Sequence, residues 1–114
     1  MSNKRHADRK NTLFNSKVYD VESGNLIGFT IDVSATGMRL LADRCLPEGH
    51  ILDLRIELPK PVMGHDSIVL RSEVRWCTQD INPDYRAIGL SLVSPSEDII
   101  NVLEHIQQSL CFEH

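Results

Sequence analysis

Hydrophobic and polar positions alternate with period two along most of this chain. Ile27, Phe29, Ile31 and Val33 alternate with Gly28, Thr30 and Asp32, which predicts a strand with the four apolar side chains on its buried face. Leu52, Leu54, Ile56 and Leu58 alternate with Asp53, Arg55 and Glu57 in the clearest strand pattern of the sequence. Ile68, Leu70, Val74 and Trp76 read as one apolar face, opposite Arg71, Glu73 and Arg75. Ile88, Leu90 and Leu92 repeat the pattern within a strand from Tyr85 to Val93, and residues 13–21 and 36–42 add two weaker strands.

Turn-forming clusters separate these runs: Glu22-Ser23-Gly24-Asn25, Pro47-Glu48-Gly49, Pro59-Lys60-Pro61 and Asn82-Pro83-Asp84. The tail changes period. Ser94-Pro95-Ser96-Glu97 has capping-box spacing with proline at the first helical position, and Ile99, Val102, Leu103, Ile106 and Leu110 then recur at helical spacing. A helix from about 95 to 111 should lay that stripe on the core. The expected fold is mainly β: a small antiparallel β-barrel of about six strands, closed so that no edge is left exposed, with one C-terminal α-helix packed on it.

At 114 residues, with 41% hydrophobic and 25% charged positions, the chain suits one packed domain. No apolar run approaches the roughly 20 residues a membrane helix needs, and the polar N-terminus does not read as a signal peptide. Cys45, Cys77 and Cys111 are odd in number and widely spaced, so neither a disulfide nor a zinc site is expected, and a reducing cytoplasm fits that reading. The net charge of −4 hides an asymmetry: the first ten residues balance at +3 and the rest at −7. Residues 1–12 therefore read as a flexible basic arm before an acidic body at 13–114. Composition does not say whether the arm is a solvated terminus or closes on an anion.

Two short motifs carry the chemistry. Arg5-His6-Ala7-Asp8-Arg9 is an R-x-x-x-R preceded by Lys4, and Asp32-Val33-Ser34-Ala35-Thr36-Gly37 is a D-x-S-x-x-G where one strand gives way to the next. In this order, on this succession of short strands and closing helix, they resemble the PilZ domain family over nearly the whole chain. That resemblance implies a stand-alone receptor for cyclic di-GMP, without catalytic machinery or a resident cofactor. It would order its arm on the ligand and signal to an unidentified effector protein in motility, exopolysaccharide or biofilm control.

The chemistry of the residues agrees. A guanidinium can fork onto a phosphate, lie flat on a purine or bond O6 and N7 of guanine, which suits Arg5 and Arg9. The carboxylate of Asp32 complements the N1–H and N2–H2 donors of guanine, with the Ser34 hydroxyl beside it. Gly37 fits either a close backbone approach or a positive φ. Asp32, Ser34 and Gly37 also suit an ordinary turn, and only the upstream arginines favour a ligand site. Trp76 reads equally as core packing or, by resemblance, as a platform at the barrel rim. Lys4 would offset the charge of a second, stacked nucleotide, so two cyclic di-GMP molecules per chain are expected. Arg39, Arg75 and Arg86 read as surface charges.

Other functions fit less well. The histidines show no metal-ligand spacing, and neither a glycine-rich phosphate loop nor a nucleophile elbow occurs. A single-stranded nucleic-acid barrel wants several aromatics in a basic groove, whereas aromatics are 5% here and the body is acidic, so neither DNA nor RNA is expected as partner. A PilZ-like interaction module that has lost its ligand is the remaining alternative.

Overall fold

The computed structural model describes residues 15–110, and side chains up to residue 108. The strands are β1 (Lys17–Asp20), β2 (Leu26–Val33), β3 (Gly37–Ala42), β4 (Ile51–Val62), β5 (His65–Gln79) and β6 (Arg86–Leu92), followed by helix α1 (Glu97–Leu110). All pairings are antiparallel, and the strands close into a barrel in the order β1-β2-β3-β6-β5-β4. The predicted fold class is therefore the observed one. Closure gives every strand two hydrogen-bonded neighbours, which disposes of the edge problem that short strands would otherwise have.

The interior is built from the alternating positions. Val18, Leu40, Leu54, Ile56, Leu70, Val74 and Ile88 are fully or almost fully buried, each contributing roughly 1.5–3 kcal/mol by leaving water. Val102, Leu103 and Ile106 of α1 join the same cluster and Ile99 packs against it, so the described part of the helical stripe faces the core. The cap differs from the reading of the sequence. The Ser96 hydroxyl, not Ser94, accepts the Ile99 amide at 3.1 Å. Ser94 has a φ of +45°, which removes it from the capping geometry.

Four other expectations are corrected. The turn after β4 is not at Pro59-Lys60-Pro61, which β4 runs through; it is the two-residue link Met63-Gly64, with φ of 50° and 82°. In β2, Phe29 is exposed while Gly28 and Thr30 face the interior, because the register shifts between Thr30 and Asp32. Ile31 is the extra residue, and past it the faces exchange: Val33 points in and Asp32 out. In β5 a second shift, between Val74 and Trp76, turns Trp76 off the face of Leu70 and Val74. Finally, Cys45 and Cys77 form a disulfide, with Cα atoms 5.9 Å apart. An odd count of cysteines conceals a pair that the barrel brings together, and the inference of a reducing compartment loses that support.

Candidate functional site at the bulged rim

The two bulges align side chains that period-two reading would scatter. Asp32 on β2 is in register with Arg39 on β3, Arg39 with Gly89 on β6, and Gly89 with Trp76 on β5. These residues form one transverse row on the outside of the barrel. The next row, Val33, Met38, Leu90 and Val74, points inward and is buried throughout. Each bulge inserts one residue, Ile31 or Arg75, and so reverses the facing of the residues beyond it. Without them Asp32 would point into the apolar interior, where an ionised carboxylate is costly.

The row is the floor of an open cleft of about 260 Å³, also lined by Ser34, Thr36, Gly37 and Arg75. Asp32, Ser34, Gly37 and Trp76, the expected ligand residues among those described, thus lie together. Lys4, Arg5 and Arg9 fall outside the described residues. Arg39, which the sequence pattern marks only as a surface charge, belongs to the site. Its Nε donates to Asp32 Oδ2 at 2.9 Å, and its Nη2 meets the same oxygen. The Asp32 side chain is only 14% exposed and that of Arg39 is 50% exposed, so the guanidinium shields one side of the carboxylate. The signal that could have found it is parity: Arg39 lies two residues after Gly37 and shares its face. Arg75 lies 3.6 Å from Glu73 and also reaches the cleft. Arg86 bonds the Pro83 and Tyr85 carbonyls, away from it.

Ser34 and Gly37 build the turn that carries Asp32. The Ser34 amide donates to the Gly37 carbonyl at 2.8 Å, while the Ser34 hydroxyl accepts from the Thr36 and Gly37 amides at 3.3 Å. Gly37 is required for close approach rather than for φ: a Cβ there would lie 2.4 Å from the Leu90 carbonyl oxygen. The same principle holds at Gly89, where the Trp76 indole fills the space a Cβ would need. Trp76 therefore lies over bare backbone at the rim, with 38% of its surface exposed, and is not among the buried core residues.

The start of β1 is held against β2 close to this rim. The Thr30 amide donates to the Ser16 carbonyl and the Ser16 amide to Thr30 Oγ1, both at 2.9 Å, ahead of the Lys17–Phe29 pair. Since β1 and β2 are antiparallel, the N-terminal end of β1 lies beside the part of β2 that leads to Asp32.

The chain is thus a small closed six-stranded antiparallel barrel with a turn-borne acidic residue and an exposed indole at one rim. The sequence matches the PilZ domain over residues 3–109, and the chain belongs to the PilZ domain family. Among solved structures it is similar to the inhibitor of motility MotI/DgrA of Bacillus subtilis, with 23% identity, a TM-score of 0.61, and coverage of 86% of this chain and 44% of that one. It is also similar to YcgR of Escherichia coli, determined in complex with c-di-GMP, with 14% identity, a TM-score of 0.70, and coverage of 88% and 42%. At these identities the likeness establishes the fold, and the chain spans less than half the length of either protein. No curated protein matches it.

Proposed function

We propose that this chain is a cyclic di-GMP receptor, with the bulged rim as half of its site and the basic arm as the other half. The observation that supports this reading is the row Asp32, Arg39, Gly89 and Trp76, with a carboxylate that suits a guanine edge and an indole that suits a purine face on one outer wall. Family membership and the c-di-GMP complex of YcgR support the choice of nucleotide. The cleft of about 260 Å³ falls below the roughly 300–1,000 Å³ usual for small-molecule sites, so a further wall is needed. The arm can supply it. Arg9 lies seven residues before Ser16, a reach of up to about 23 Å in an extended chain.

In this mechanism guanine N1–H and N2–H2 donate to the Asp32 carboxylate, Trp76 supports a base, and Arg5 and Arg9 take guanine edges and phosphates. Arg39 orients the carboxylate through its hydrogen bonds to Oδ2. Ligand orders the arm only through contacts that the ordered state alone makes, and the composite surface of arm, nucleotide and rim is read by an effector protein. Titration calorimetry tests the central point. Binding of cyclic di-GMP at submicromolar to micromolar Kd, roughly −8 to −9 kcal/mol, is expected, without binding of GMP or a short oligonucleotide. Absence of heat at high micromolar ligand sinks the proposal.

A further inference from the structure

We infer that the Cys45–Cys77 disulfide is a thiol–disulfide exchange site that couples redox state to the shape of the rim. The inference rests on the receptor reading only for its effect on affinity. Cys77 directly follows Trp76 and pairs with Ile88, beside the Trp76–Gly89 pair. Cys45 lies in the connector between β3 and β4, residues 43–50, where every residue except Leu46 is exposed. That connector touches β5 at two points. The Gly49 amide donates to the Val74 carbonyl at 2.8 Å and the Val74 amide to the His50 carbonyl at 2.9 Å. The disulfide is the second point. The bulged stretch Arg75-Trp76 is therefore bracketed by hydrogen bonds at Val74 and by a covalent bond at Cys77.

A bulge interrupts the β5–β6 ladder at this place, so Trp76 depends on what holds its two ends. Breaking the bond loosens the connector ahead of Gly49, where only Leu46 packs against the core, and leaves the Cys77 end of the bulge held by the β5–β6 ladder alone. The two sulfurs differ in access. Cys45 is exposed, whereas Cys77 is half-buried and packed against the core. A low-molecular-weight thiolate attacks Cys45 Sγ, the Sγ–Sγ bond breaks, and Cys77 leaves as a thiolate that takes up a proton. A second thiolate then attacks the sulfur of the bound small molecule, releasing Cys45 and a small-molecule disulfide. Two thiols are oxidised and one protein disulfide is reduced, so two electrons and two protons balance.

Trp76 is the only tryptophan of the chain, so its emission reports this stretch without labelling. The full chain should be compared after oxidation with glutathione disulfide and after reduction with dithiothreitol. Under denaturing conditions the oxidised form should titrate as one thiol, Cys111, and the reduced form as three. Reduction should shift the Trp76 emission without ligand and weaken cyclic di-GMP binding by about three- to tenfold, as expected if the competent rim becomes a minor state. Cys45→Ser, an exposed substitution, should match the reduced form and ignore reductant. Three titratable thiols after oxidation, or identical emission in both forms, overturns the inference, as does equal affinity in a protein that binds the nucleotide. A shift in emission with no nucleotide binding in either form keeps the switch and retires the receptor reading alone.

Discussion

Trp76 lies so closely over Gly89 that a Cβ on the glycine would sit 2.1 Å from the indole Cε2. The two residues face each other across β5 and β6 because the bulge at Arg75 shifts the register by one. Gly89→Ala should therefore lift the indole from its seat. The expected result is a shift in tryptophan emission, a stability loss of about 1–3 kcal/mol from overpacking, and weaker cyclic di-GMP binding. Unchanged emission would show that the seat is not defined by the glycine.

Asp32 and Arg39 form an ion pair within the rim row, and each partner has further contacts. Asp32→Ala should cost well under about 1 kcal/mol of stability through loss of that pair, because Arg39 is half exposed. Its effect on ligand should be larger and selective. Affinity for cyclic di-GMP should fall more than affinity for cyclic di-AMP, since only guanine offers N1–H and N2–H2 together. Equal losses would show that Asp32 does not read the guanine edge.

Arg5→Ala and Arg9→Ala should each weaken cyclic di-GMP binding by about 2 kcal/mol or more, by removing charge-assisted bonds. Neither should move the melting temperature of the ligand-free chain, and a large drop would mark the arm as structural. Native mass spectrometry at saturation should show two nucleotides per chain, with Lys4 among the cations that offset a stacked pair. Lys4→Leu should move the ratio toward one, whereas a one-to-one complex in the parent chain retires the stacked pair.

The helix cap gives a test of the fold alone. Ser96→Ala should destabilise by about 1 kcal/mol, because the Ile99 amide loses its partner. Ser94→Gly should stabilise by up to about 1 kcal/mol, since glycine holds a φ of +45° without a Cβ clash. Thermal melts of both variants check the pair, and a reversed order would return the cap to Ser94.

Local pattern is enough for the barrel, because Leu54, Ile56, Leu70 and Ile88 keep strict alternation and a closed sheet has one inside. It is also enough for part of the rim: Asp32, Ser34 and Gly37 lie close together in the chain, and Ser34 and Gly37 close the turn beside Asp32. Alternation fails where the count of residues between two strands is odd by one. The bulges at Ile31 and Arg75 are properties of strand pairs, visible only when β2 lies against β3 and β5 against β6. For that reason alternation puts Phe29 and Trp76 on the wrong face. The disulfide belongs to the same class. Cys45 and Cys77 are 32 residues apart, and only the path of the connector along β5 makes them neighbours. Period-two reading carries information about a strand and the water it avoids; which side chains meet across strands is decided by register, and register is a tertiary fact.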